Sequence, residues 1–430
     1  MKYDSELYAE ISDEFSWFDE ENNFLVPDYR EKCLSNIPWF LLETLTAKRQ
    51  VRTLPEELFS GIEKERFEKV ILILIDGFGF YQLLEHKEGL FKRIGKLACI
   101  NPITTVFPST TAAALTSLST GLTPQEHGLI EWYIYLEEAK EIIASLLFSP
   151  LGSRGRDLLA DKFSPRILFD GRTFYSDLAK SDVKSFVFLG RNIARSSYSK
   201  VAYRGSELVP YTSSSDMFVN LRRVLGQVAE KSYYQVYWST VDTMEHTYGP
   251  SFEGSKLELE LFMHSFFDGF IDRLDKKQAR NTLLIITSDH GQIDIEPEKT
   301  IYLNRFRKLQ EKFRKNPDGK LIEPTGSARD VFLHVEDVGS TIAYLQKKFN
   351  GKALVVDTAE AMTKGLFGMG KKSDKFMKRL GQILLLPYSN NTVWYKFANL
   401  GKLDLRGHHG SLTPTELIVP FIAVDLEKLI

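Results

Sequence analysis

Residues 69–76 read KVILILID, six consecutive aliphatic side chains closed by an acid and followed by glycine. A strand with one wet face alternates apolar and polar residues. An unbroken apolar run needs cover on both faces, which is the condition of a parallel sheet held between helices. SFVFLG (185–190), YYQVYWS (233–239) and TLLIITS (282–288) have the same texture, and helical stretches such as TFYSDLAKS and SDMFVNLRRVLGQVAEK separate them. This alternation predicts an α/β sandwich.

The chain has 430 residues, enough for one large domain with insertions or for two domains. Residues 1–64 are charged and proline-punctuated, with a helical flavour in PEELFSGIEKERFEK, and are expected to form an N-terminal extension packed on the core. Residues 65–299 and 396–430 are expected to form that core. Between them, RFRKLQEKFRKNPDGK and TKGLFGMGKKSDKFMKRLGQ give 300–395 a basic, glycine-containing texture, read as an inserted subdomain. TPTELIVPFIAVDL then supplies a helix-start signal and one more apolar strand.

Net charge is −2 and no strong basic run stands out, so a nucleic-acid polymer is not expected as a partner. The apolar runs fall far short of the roughly 20 residues of a membrane span. Two cysteines and an acidic, mixed N-terminus without a basic-then-apolar start point to a cytoplasmic protein.

Chemistry-bearing residues gather where strands end. Asp76 follows the first run, Asp289 and His290 follow TLLIITS, and Asp242 lies three residues beyond YYQVYWS. Open α/β sheets bind ligands at the carboxyl ends of strands, where loops bring distant residues to one place. Asp242 and His246 are four apart and share a helix face; His408 and His409 sit in GHHGSLTP, where glycines permit a sharp turn. Carboxylates plus imidazoles without thiolate suit Zn²⁺, Mn²⁺ or Fe²⁺ better than Mg²⁺ alone. In FPSTTAAALTSLSTG, Ser109, Thr110 and Thr111 stand at a helix start, where hydroxyls either cap or react. Each feature alone has a structural reading as a turn former, a solvated face or a cap. Their order along one chain is specific.

The set LIDGFG, FPSTTAAALTSLSTGLTPQEHG, VDTMEHTYGP, TSDHGQ and GHHGSLTPTELIVP resembles the alkaline phosphatase superfamily, and within it the type I phosphodiesterase/nucleotide pyrophosphatase family. The resemblance runs from about Lys69 to Val424. It implies a three-layer α/β/α sandwich with a mostly parallel central sheet, a smaller cap and two divalent metal ions, Zn²⁺ or Mn²⁺. Asp76, Thr111, Asp289 and His290 would hold one ion, and Asp242, His246 and His409 the other. His409 is taken over His408 because the family's ligand directly precedes glycine. Thr111 would be the nucleophile, passing through a phosphothreonine, with Ser109 and Thr110 left to capping and backbone support. The substrate would be a small phosphate ester or a nucleotide.

Trp132 stands where animal relatives carry a phosphate-holding asparagine, and AAAL replaces their Asn–His pair. Trp132, Tyr133 and Tyr135 offer a stacking wall or belong to the core. Arg329, in PTGSARDVFLHV, is a candidate phosphate contact. The basic insert reads as a solvated face, or as a lid that draws in anions. Phosphodiester cleavage is the expected activity, with monoester or phosphonate hydrolysis, or a catalytically silent interaction protein, as alternatives.

Overall fold

The structure is a computed structural model and describes residues 5–86 and 91–430. Seven strands form the central sheet: β1 (Lys69–Ile75), β2 (Cys99–Thr104), β3 (Lys184–Gly190), β4 (Glu207–Tyr211), β5 (Ser232–Trp238), β6 (Thr282–Thr287) and β7 (Ile418–Asp425). Their order is β2-β7-β6-β1-β5-β3-β4. The pairs β6·β1, β1·β5, β5·β3 and β3·β4 are parallel; β7 runs antiparallel to both β6 and β2. Every residue of β5, β6 and β7 is buried, as the continuous apolar runs require.

Alternate side chains of a strand face opposite ways, and β5 shows what covers each face. Tyr233 meets the rings of Phe174 and Tyr175, while Trp238 stacks on Phe262 at 4.1 Å. Helices α1 (Ile37–Thr46), α2 (Thr111–Thr120) and α3 (Phe174–Ala179) therefore lie on one face. Helices α4 (Ser214–Gln227), α5 (Thr240–Tyr248) and α6 (Glu253–Gly269) lie on the other. This is the three-layer sandwich. The N-terminal segment packs into the same core through Phe24, Leu25, Leu34 and Phe40, and PEELFSGIEKERFEK forms two short 3₁₀ turns, Glu56–Phe59 and Lys64–Arg66.

A four-stranded sheet lies within 300–395, ordered Thr325–Gly326, Val331–Leu333, Ile383–Pro387, Ala353–Asp357. Its side chains split by parity. Phe332, Val356, Leu384 and Leu386 join the main core, whereas Val331, Leu333, Val355, Ile383 and Leu385 join a second one. The second core also takes Tyr135 and Ile142 from the hairpin strands Tyr133–Leu136 and Glu141–Ala144, and reaches Leu403. A sheet covered on both faces is anchored to its neighbours, which does not suit a hinged lid.

Candidate metal-dependent active site

In the parallel pair β6·β1, Thr287 stands opposite Leu74, so Asp289 and Asp76, each two residues on, leave adjacent strands at one level. Trp238 of β5 stands opposite Ile75, and α5 then carries Asp242 in its first turn and His246 in its last. Gly77 lets these segments converge. Its φ is +78°, and a Cβ there would lie 3.2 Å from Asp242 Cα.

The two acids on the strands share one scheme. Asp289 Oδ1 accepts the backbone N–H groups of Gly77 (3.2 Å) and His290 (3.1 Å), and Asp76 Oδ2 accepts the Tyr237 hydroxyl. Asp76 Oδ1 and Asp289 Oδ2 accept no hydrogen bond from the described residues. These free oxygens are the ones facing His290 Nε2, at 3.5 and 3.4 Å. Burial, then the charges of Asp289 and Asp242, push the Asp76 carboxyl well above the usual carboxylate range.

Each histidine is oriented by a carbonyl. His246 Nδ1 lies 2.9 Å from Gly407 O, His409 Nδ1 2.9 Å from Ser109 O, and His290 Nδ1 3.1 Å from Gly291 O. A carbonyl only accepts, so each Nδ1 carries the proton and each Nε2 turns its lone pair inward. His409 Nε2 is 3.2 Å from His246 Nε2 and 3.8 Å from Asp242 Oδ1, and His246 Nε2 is 3.3 Å from the same oxygen. His290 forms the seam, its ring stacked on His409 at 3.5 Å and its donor atom within reach of both groups. Burial, reinforced by His290 and His246, holds the His409 ring well below its ordinary value and hence neutral. Buried carboxylate oxygens without partners and imidazoles whose Nε2 atoms face inward make a donor set that fits divalent ions.

Thr111 is the first residue of α2, with its Oγ1 3.1 Å from His290 Nε2. The all-buried stretch Ala112–Thr120 seats the helix in the core. Its flanking hydroxyls depart from the expected capping. Thr110 occupies the N-cap position, yet its Oγ1 has no partner among the described residues. Ser109 Oγ donates to Ser411 O at 2.7 Å and accepts from Gly410 N–H at 3.2 Å, tying the His409 loop to α2. His408 instead folds back on its own loop, accepting from the His409 N–H at 2.9 Å, and burial holds its ring at about 3.

A cleft of about 460 Å³ opens beside Thr111. Trp132 and Tyr133 line it, but Tyr135 belongs to the second core. Arg329 requires a correction. It is fully buried and clasps Glu416 through Nε (3.1 Å) and Nη2 (2.8 Å), while Nη1 donates to Asn391 O at 2.5 Å. With its donors committed it is a strut, not a phosphate contact. Arg329→Ala leaves a buried carboxylate unpaired and should cost about 3–5 kcal/mol in urea denaturation, with KM unchanged.

The sequence reading missed Tyr237, Glu131 and Trp394. Glu131 is buried in the cleft wall, where burial raises its carboxyl to about 7 and its Oε2 accepts the Trp132 backbone N–H. Trp394 enters from the far end of the insert. Neighbouring residues in the sequence carry no signal for any of the three, because strand register and tertiary packing aim them.

A three-layer sandwich with acids and imidazoles at its strand ends and a hydroxyl at a helix start is the arrangement that the resemblance to the alkaline phosphatase superfamily implies. The chain belongs to the type I phosphodiesterase/nucleotide pyrophosphatase family, whose model matches residues 70–412. Among solved structures it is similar to murine ectonucleotide pyrophosphatase/phosphodiesterase 5, at 16% identity and a TM-score of 0.61 over 83% of this chain and 88% of that one. An inactive threonine-to-alanine form of the murine enzyme, in complex with AMP, matches at 16% identity and a TM-score of 0.58, covering 83% and 87%. No curated protein matches the chain. Among the described residues, no helix is long and apolar enough to cross a membrane.

Proposed function

We propose that the chain cleaves phosphodiester or nucleotide pyrophosphate bonds with Thr111 as nucleophile. The observation that carries this reading is the Thr111 hydroxyl, 3.1 Å from His290 Nε2, the atom that the partnerless oxygens of Asp76 and Asp289 also face. Asp76, Asp289, His290 and Thr111 would hold one divalent ion, and Asp242, His246 and His409 the other. Such ions, Zn²⁺ or Mn²⁺, would lower the pKa of a hydroxyl or water and neutralise charge on the phosphoryl oxygens.

Thr111 Oγ1 bonds to phosphorus with loss of its proton, and the bond to the leaving oxygen breaks. Water then cleaves the phosphothreonine, restoring the hydroxyl. The free N–H groups in the first turn of α2 would offer donors to the phosphate oxygens. Two further features support the reading. Lys402, exposed, is the one Lys or Arg among the described residues lining the cleft, so no arginine meets a monoester dianion. The murine relative whose threonine is replaced is described as inactive and holds AMP, which favours a nucleotide here, stacked on Trp132, Tyr133 or Trp394.

Purified protein loaded with Zn²⁺ or Mn²⁺ should turn over bis-p-nitrophenyl phosphate and p-nitrophenyl thymidine monophosphate faster than p-nitrophenyl phosphate. Dominant monoester turnover would select the phosphatase alternative. Inactivity on all three esters with both ions bound would select a silent protein. Base–aromatic stacking is worth about 1–3 kcal/mol. Trp132→Ala should therefore raise KM for the thymidine ester by about 5- to 150-fold, while leaving KM for methyl p-nitrophenyl phosphate unchanged.

A further inference from the structure

The two strand-end acids are aimed by different means. The fixed oxygen of Asp289 is held by backbone N–H groups of Gly77 and His290, with the Ser288 hydroxyl at 3.4 Å. Backbone donors survive almost any side-chain replacement. Asp76 has no such support: the hydrogen bond to its Oδ2 comes from Tyr237, two residues before it in register on the neighbouring strand β5. A carboxylate rotates about its last torsion unless one oxygen is held. Without the phenol, the Asp76 oxygen that faces His290 Nε2 has nothing on the described residues to keep it there.

We infer that Tyr237 is a positioning residue for ion binding, fixing Asp76 so that Oδ1 stays presented to the Asp76–Asp289–His290 group. This rests on the two-ion reading above. Tyr237 is 5% exposed and its ring stays buried among core side chains, so Tyr237→Phe removes one oxygen and keeps the packing. Outer hydrogen bonds of this kind are typically worth 10- to 100-fold in metal affinity. Tyr211 supplies the control. Its hydroxyl donates to Tyr237 O at 2.6 Å without touching any ligand, so Tyr211→Phe deletes a buried hydroxyl from the same place.

Chelator-stripped wild type, Tyr237→Phe and Tyr211→Phe are titrated with Zn²⁺ against a chromophoric competitor, and folding is followed by circular dichroism and thermal denaturation. The expected result is two ions per chain in all three. One affinity should be weakened about 10- to 100-fold in Tyr237→Phe alone, and both should be unchanged in Tyr211→Phe. Equal affinities in wild type and Tyr237→Phe overturn the inference. So does equal weakening of both ions, or a Tyr237→Phe protein that does not fold, since the hydroxyl then serves the fold and not the ligand. A wild type that binds no pair of ions instead sinks the two-ion reading on which the inference stands.

Discussion

Thr111→Ala is expected to lower kcat by on the order of 10⁴-fold or more while nearly all bound metal is retained. The hydroxyl is the group that bonds to phosphorus. Its removal leaves the substrate held but without an attacking atom, and a water in its place lacks the orientation that the start of α2 imposes. Metal content should survive because Asp289 takes its position from backbone N–H groups, His290 from the Gly291 carbonyl and Asp76 from the Tyr237 hydroxyl, not from Thr111. The fold should survive as well, since alanine is a strong helix former and Ala112–Ala114 already occupy the same turn. Steady-state kinetics beside metal analysis of the same preparation decides it. Retained turnover removes the nucleophile assignment, and lost metal assigns Thr111 a ligand role first.

Asp76→Asn should act in opposite directions on the two states of the protein. With ions present, the neutral amide is a poor ligand, and occupancy of one ion together with activity should collapse by about 10²-fold or more. Without ions, Asp76 is a buried acid facing the carboxylates of Asp289 and Asp242. The amide relieves that repulsion, can donate toward Asp289 and still accepts from Tyr237. The ion-free variant should then be more stable than ion-free wild type by about 1–3 kcal/mol at pH 8.

The pH dependence follows from the direction of the shift. The folded Asp76 carboxyl keeps its proton to higher pH than the unfolded one, so the folded state binds more protons above the unfolded value of 3.8. Its contribution is fully present below that pH and is lost as pH rises toward the raised folded value. The advantage of Asp76→Asn over wild type should thus grow from pH 5 to pH 8, measured as the difference between urea midpoints. That difference cancels the opposite effect of the buried neutral histidines, His127, His334 and His408, each held at about 3 by burial. An ion-free variant less stable than wild type would show that Asp76 serves packing before binding.

Much of the fold is legible along the chain because buried parallel strands need no alternation to be recognised. KVILILI, YYQVYW and TLLIIT correspond to β1, β5 and β6, and the helix-start signal in TPTEL sits at the short helix Pro414–Leu417. The reversed direction of β7 is not legible, since an apolar run reads the same from either end and only its pairing with β6 and β2 orients it. PEELFSGIEKERFEK has helix-favouring residues, but Gly61, at a φ of +76°, separates it into two short turns. Arg329 shows why charge alone misleads. Its partner Glu416 lies 87 positions away, and no local pattern distinguishes a committed guanidinium from an available one.

The order of Asp76, Thr111, Asp242, His246, Asp289, His290 and His409 is written in the primary structure, because strand ends and tight turns are local properties of the chain. Which oxygen of each acid is left free, which histidine nitrogen faces inward and which aromatic rings wall the cleft were decided by tertiary structure alone. Those features depend on register between strands and on hydrogen bonds from residues hundreds of positions apart, as with His409 and Ser109. A side chain's type is fixed by one codon, but its direction is fixed by everything packed around it.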